Sequence, residues 1–213
     1  TAPVFTETGP DGNLWVADWY NPVIQHNPDK RGMDNQIWNA DKGEGNAHLN
    51  KLRDYGHGRI YVIKYEDKEE SGISSLDSKD DDALLTALQS DNLFWRITAQ
   101  RLIVEAKKTE LIPDLIKLAE DETKIDKSGL NAVALHALYT LDGLGALNSS
   151  DADAENSVFK GLTNASFAVK RAAMALLPKT VKGSEHLAKS GLLTDTDAQL
   201  QLAAVLRAGE LPE

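Results

Sequence analysis

Apolar positions along this chain follow two different periods. Near the start, Leu14-Trp15-Val16-Ala17-Asp18-Trp19 and Arg59-Ile60-Tyr61-Val62-Ile63-Lys64-Tyr65 are short runs rich in aromatic and β-branched residues, which suit a pleated, half-buried surface and predict strands. Pro10-Asp11-Gly12-Asn13 precedes the first run. It reads as a turn, because proline fixes φ and glycine supplies positive φ. Val4-Phe5-Thr6-Glu7 is a further short strand candidate. Between Asn21 and Gly58 the chain is polar and rich in Gly, Asn and Asp, without a period. A connection of that length is functional or disordered rather than an ordinary loop.

After a charged connector from Glu66 to Lys79 the period becomes helical. Asp80-Asp81-Asp82 suits a helix start, where carboxylates meet unpaired N–H groups and the positive end of the dipole. Leu84, Leu85 and Leu88 follow at helical spacing. Helical segments then recur in pairs. Aligning the longer members superposes Ala99, Leu135, Ala173 and Ala203, and also Leu102, Leu138, Leu176 and Leu206, with steps of 36, 38 and 30 residues between the leucines. Such a period, with small residues at packing positions, predicts a stack of two-helix repeats. The shorter partners fall near Asp82–Ser90, Pro113–Glu120, Ala154–Leu162 and Ser184–Ser190. Pro113 suits a first helical turn. The alternative is an irregular helical bundle.

The expected fold class is therefore β + α in two regions, mostly α overall. Residues 1–66 would hold closing strands of an incomplete sheet, 67–79 a linker, and 80–213 the helical repeats. Three strands do not bury a sheet by themselves and leave exposed edges. Either another chain completes the sheet or the chain is a piece of a longer one, and the second is the expectation here.

Composition narrows the chemistry. The net charge of −10 argues against a nucleic-acid partner, since phosphate binding needs a concentrated basic surface. Lys107-Lys108 and Lys170-Arg171 are the densest basic pairs and read as solvated helix positions. With no cysteine there is no disulfide, thiolate metal site, thiol nucleophile or covalent haem attachment within these residues. No apolar stretch reaches the roughly 18–20 residues of a membrane helix. Motifs for phosphate loops, dinucleotide binding, a nucleophile elbow or a His-Glu-x-x-His metal site are absent.

The motif Gly9-Pro10-Asp11-Gly12-Asn13-Leu14-Trp15-Val16-Ala17-Asp18-Trp19-Tyr20-Asn21 resembles the last-blade motif of sugar-dehydrogenase-like β-propellers. More specifically it resembles those of large bacterial cell-envelope proteins of the membrane-bound dehydrogenase, haem-binding type. His57-Gly58-Arg59-Ile60-Tyr61, the element Trp95 to Leu102, the element His136 to Gly145, and Leu200-Gln201-Leu202-Ala203 follow in the order found in that family. The resemblance covers nearly the whole chain. It implies a β-propeller blade running into HEAT-like repeats, with further blades upstream and a Cys-x-x-Cys-His haem domain downstream. It also implies a periplasmic or secreted location in a bacterium. The parent would be an oxidoreductase resembling quinone-dependent sugar dehydrogenases, using a quinone and haem c, while this chain itself carries no cofactor. Its partners would be the rest of the parent polypeptide and a sugar ligand, with no nucleic acid and no membrane span. The repeats would act as a spacer or docking module, and no turnover is expected from this chain alone. The alternative is a non-catalytic scaffold binding a glycan or a protein.

Two groups of candidate ligand-binding residues stand out. Asp18, Tyr20, Asn21 and His26 lie at or just past a strand end, where propeller loops line ligand sites. Asp18 would contact a sugar, a cofactor or Ca²⁺; equally, it would hydrogen-bond loop backbone and fix the turn. Arg53, Asp54, His57 and Arg59 form the densest polar cluster before the last strand. There a histidine can act as a base near neutral pH and an arginine can hold an anion. The rival is a structural Arg–Asp pair with a histidine that ties down the loop. No catalytic residue is assigned, because no complete catalytic set is present. Trp19 reads as packing between blades, His136 as a satisfied core or interface histidine. Asn164-Ala165-Ser166 is a glycosylation triplet to which no role is given. The loop acids Asp29, Asp34 and Asp41 lack calcium-loop spacing, and no metal is expected.

Overall fold

A computed structural model describes residues 3–19, 56–65, 72–73, 75–148 and 152–212. It divides into two units, residues 1–72 and residues 73–213.

In the first unit, strands β1 (Pro3–Thr8), β2 (Leu14–Asp18) and β3 (Arg59–Ile63) form an antiparallel sheet in the order β1-β2-β3. The hairpin between β1 and β2 closes where the sequence places its turn. Gly9 and Asn13 are joined by a backbone hydrogen bond of 2.9 Å, and Gly12 takes φ 75°. The Asp11 carboxylate accepts from the Asn13 backbone N–H and the Trp15 indole N–H, each at 3.0 Å. Hydrogen bonds from Asn13, side chain and backbone, and then from Trp15 hold the Asp11 carboxyl down at about 2. The indole lies so close over Gly9 that a Cβ there would fall 2.3 Å from Trp15 Nε1. Glycine at position 9 is thus a requirement of ring packing.

Register sorts the sheet into two faces. Trp15 opposes Val62 and Glu7, and Ala17 opposes Ile60 and Phe5, so one face is almost wholly apolar. Val16 opposes Tyr61 and Thr6 on the other. Among the described residues of this unit Val16 is the buried apolar one, whereas Phe5, Trp15, Ile60, Tyr61, Val62 and Ile63 are all exposed.

The second unit holds eight α-helices among its described residues: α1 (Asp81–Leu88), α2 (Leu93–Glu105), α3 (Ile112–Glu120), α4 (Ala132–Gly143), α5 (Ala152–Gly161), α6 (Phe167–Leu176), α7 (Val181–Lys189) and α8 (Ala198–Ala208). Consecutive helices pack as α1 on α2, α3 on α4, α5 on α6 and α7 on α8. Beyond these pairs, α2 packs on α4, α4 on α6 and α6 on α8, while α3 packs on α5. One continuous core runs through the unit, from Leu84 and Trp95 to Leu200 and Ala204. The mostly helical β + α layout is therefore as the sequence predicts.

Local chemistry explains the helix starts. Asp80, Asn92, Asn131, Thr180 and Asp197 each accept a backbone N–H of the first turn with the side chain. Pro113 lies in the first turn of α3. Helix approach is set partly by missing side chains: a Cβ on Gly161 of α5 would sit 2.8 Å from Ala173 Cβ of α6.

The register of α2, α4, α6 and α8 relative to one another differs from the sequence alignment. Counted from the caps, the third residues of α2, α4, α6 and α8 are Trp95, Ala134, Val169 and Leu200, and one turn later come Ala99, Leu138, Ala173 and Ala204. All eight are buried. Leu135 and Ala203, aligned with Ala99 in the sequence reading, sit at other positions, and Leu206 is 63 % exposed. Lys107 and Lys108 are also corrected. They lie past the end of α2 rather than on it, with Lys107 at φ 53°. Lys108 forms an ion pair with Asp81, which raises its pKa. No helix among the described residues is long and apolar enough to cross a membrane.

Candidate functional site

Of the eight sequence-predicted ligand residues, Asp18, His57 and Arg59 fall in the described structure, while Tyr20, Asn21, His26, Arg53 and Asp54 lie outside the described residues. So do the loop acids Asp29, Asp34 and Asp41.

The three that are described meet at one end of the sheet. Asp18 is the last residue of β2 and Arg59 the first of β3, and the register sets them directly opposite each other. Opposed residues of an antiparallel pair share a face, with Cβ atoms roughly 4.5–5.5 Å apart. On its other side Asp18 opposes Pro3 of β1. Asp18 is 4 % exposed, whereas His57 and Arg59 are open to solvent. Arg59 Nη1 also donates to the Tyr61 hydroxyl at 3.1 Å, on the same strand face. Gly58 keeps the backbone between His57 and Arg59 near β2, where a Cβ would stand 3.9 Å from the Asp18 carbonyl oxygen.

This arrangement presents a buried aspartate across from an arginine on the next strand, with an exposed histidine two residues before that arginine. It can take a polar ligand by hydrogen bonds and charge; a nucleophile with its own base is not among these three. Trp19, just beyond, is 51 % exposed. No cluster of three or more His, Cys, Asp or Glu side chains among the described residues is placed to hold a metal ion.

A second feature was not visible in the sequence. On the helical unit an open groove of about 710 Å³ runs across α3, α5 and α7. Its apolar lining is Ile112, Pro113, Ile116 and Phe159. Phe159 stacks face to face on His186 of α7, with ring centroids 3.9 Å apart and planes 4° from parallel. Lys182 Nζ stands 4.7 Å from the Phe159 centroid, within cation–π range. Nothing in the local sequence around these residues announces a site, because three separate helices contribute them.

His136 is a core histidine here. It is 9 % exposed, and Nδ1 lies 2.7 Å from Gln100 Oε1 of α2. Burial, and then the charge of Arg96, push its pKa down to about 4. Asn164 is 5 % exposed, with its side-chain oxygen accepting from the Ser166 N–H at 2.8 Å. The glycosylation triplet thus lies in the loop between α5 and α6.

Fold and site together define a β + α protein with a polar cluster at a strand end of a small sheet and a grooved helical unit. Residues 1–67 match a family model described as a domain of unknown function (DUF7133). Neither a curated protein nor a solved structure matches the chain.

Proposed function

We propose that this chain is a docking segment of a larger bacterial cell-envelope protein: strands of a β-propeller blade followed by HEAT-like repeats. The observation that carries this reading is the sheet's exposed apolar surface. Phe5, Trp15, Ile60 and Val62 line one face, and Tyr61 and Ile63 stand on the other, all exposed. A blade in a propeller is covered on its faces by neighbouring blades, and such a surface left open marks an interaction site. The succession of helix pairs, with α2, α4, α6 and α8 packing in turn, supports the repeat reading of the second unit.

On this reading the parent resembles quinone-dependent sugar dehydrogenases, with quinone and haem c held elsewhere in the polypeptide. The strand-end group Asp18, His57 and Arg59 contributes polar contacts to a ligand such as a sugar. The helical unit spaces or docks the redox module. The chain by itself carries no turnover, since the three described candidates include no nucleophile–base pair and fold-level likeness does not supply chemistry.

The test is direct. Purified chain, mixed with aldose sugars, a soluble quinone and a redox dye, is expected to show no dye reduction; sustained sugar-dependent reduction would sink the docking-only reading. The native reading frame is expected to encode further blade motifs before residue 1 and a Cys-x-x-Cys-His motif after residue 213. A frame without them leaves the non-catalytic scaffold as the better account.

A further inference from the structure

We infer that the open side of α2, α4 and α6 is a binding site for an acidic amphipathic helix of a partner protein, held by Arg101 and Arg171 on either side of Tyr139. The inference names the partner of the docking role proposed above, and it rests on that reading for the helical unit only.

Packing sets one stripe of each helix side by side. Residues three and four apart share a helix face, so Ile97, Arg101 and Val104 fall together on α2, Leu135, Tyr139 and Gly143 on α4, and Ala168, Arg171 and Ala175 on α6. Two open pockets lie between the stripes. One, of about 490 Å³, is lined by Ile97, Gln100, Arg101, Val104, Tyr139 and Gly143. The other, of about 310 Å³, is lined from α4 by Leu135 and Tyr139, and from α6 by Phe167, Arg171 and three alanines. Tyr139 is common to both and is 37 % exposed, and Ile97 and Phe167 are open to solvent as well. Gln100 is already engaged by His136. Each pocket is thus an apolar hollow with one guanidinium in its lining.

Charge selects an acidic occupant. Four arginines belong to the helical unit. Arg96 donates to the Ser90 carbonyl at 2.6 Å, and Arg207 is held by Glu210 at 2.7 Å. Arg101 and Arg171 are exposed, and their guanidinium groups take part in no ion pair or hydrogen bond among the described residues. Nor does an acid line either pocket among those residues; Glu105 of α2 and Asp142 of α4 stay outside both. An incoming carboxylate therefore displaces no existing partner, and a guanidinium matches its two oxygens. Two cations are too few for a nucleic-acid backbone, and one per pocket is not the cluster that holds a phosphate group. A sugar would leave its hydroxyls facing apolar side chains. What fits is a protein segment that sets an apolar side chain beside each carboxylate.

Spacing selects a helix. Each pocket fills the gap between two adjacent helices, so the two are one interhelix distance apart, about 8–10 Å. On an extended strand, side chains of one face recur at about 6.6 Å and then about 13 Å, and both miss that distance. On a helix, residues seven apart share a face at about 10.5 Å, and both pockets are reached.

The test titrates the full 213-residue chain into fluorescein-labelled helical peptides and reads anisotropy. The first peptide carries two leucines seven residues apart with glutamates beside them. The second has lysine for glutamate, the third alanine for both leucines, and the fourth a central proline that breaks the helix. The first is expected to bind about tenfold or more tighter than each of the others, and to weaken several-fold from low to high salt. The double variant Arg101→Gln, Arg171→Gln, with helix content and melting checked by circular dichroism, should lose about tenfold or more of that affinity. Lys117→Gln with Lys160→Gln, on α3 and α5, should keep it. Equal binding of any control peptide would overturn the site. So would affinity that survives loss of both arginines, an equal loss in the lysine variant, or no binding at millimolar concentration. Each of these leaves the helical unit a spacer and the propeller reading untouched, whereas sugar-dependent dye reduction strikes that reading and leaves this site standing.

Discussion

Buried polar residues in the helical unit are each answered by a named partner, and this is where single substitutions will speak most clearly. His136 faces Gln100 through Nδ1 and carries the nearby charge of Arg96, while its own carbonyl accepts from the Thr140 hydroxyl at 2.6 Å. Its pKa is about 4 in the fold, against 6.5 ordinarily. Above about pH 6.5 the ring is neutral in both folded and unfolded chain, and its full contribution to stability is present. Between there and pH 4 the unfolded chain binds a proton that the folded chain refuses, so stability falls as pH falls. Below about 4 both states are protonated and the loss is complete, amounting to roughly 1–3 kcal/mol. Urea midpoints measured from pH 7.5 down to 4 should therefore decline for the parent chain more steeply than for His136→Gln, which lacks the titrating ring. Identical slopes would mean that the ring is solvated after all. The sequence reading placed His136 among packing residues because of its apolar neighbours Ala134, Leu135, Ala137 and Leu138. What it could not supply was Gln100, which comes from α2.

At the scale of elements, the helix starts were legible and the phase of one helix against the next was not. Caps are local: Asp80 and Pro113 announce their helices because the chemistry they satisfy lies within one turn. Phase depends on which side of a helix is covered. In α4, Val133, Ala134, His136, Ala137, Leu138, Thr140 and Leu141 are all buried, because α2, α3 and α6 all pack on it. A helix covered nearly all round loses the one-sided periodicity from which phase is read, so Leu135 looked as good an anchor as Leu138. A polar link joins the start of α4 to the start of α6. Ser166, at the cap position of α6, does not cap its own helix; its hydroxyl donates to the Gly129 carbonyl at 2.8 Å and accepts the Asn131 N–H at 3.0 Å. Asn131 in turn caps α4 and donates to the Asp121 carbonyl at 2.7 Å. Both residues are fully buried. Ser166→Ala leaves a buried donor and a buried acceptor without each other's bridge, and should cost about 1–3 kcal/mol, more than an ordinary cap deletion of about 1 kcal/mol. Thermal or urea unfolding of this variant beside Asp197→Ala, an exposed cap, gives the comparison. A smaller loss at Ser166 than at Asp197 would show that water replaces the bridge.

The whole molecule joins two units of unequal self-sufficiency. Nearly every buried apolar side chain among the described residues belongs to the helical unit, whose core is continuous from Leu84 to Ala204; the sheet contributes Val16. Burial of apolar surface is the main favourable term in folding, at roughly 25 cal/mol per Å², and it must exceed the entropy of ordering each residue. The helical unit meets that condition with its own side chains. The described strands do not, because Val4, Phe5, Ile60 and Ile63 remain more than half exposed, and a three-stranded sheet needs a covered face to be stable. This asymmetry was partly legible: aromatic and β-branched content located the strands, and their small number implied missing cover. Which residues stand open depends on register, and only the structure supplies it. A fragment of residues 73–213 should therefore keep the helical circular dichroism and the melting temperature of the parent chain. A fragment of residues 1–72 should unfold without a cooperative transition and bind a dye specific for exposed apolar surface. The opposite pattern, a sheet fragment that melts cooperatively without dye binding, would mean that the first unit covers its own strands. The case for a propeller blade awaiting its neighbours would then fall, while the helical unit with its own continuous core would stand.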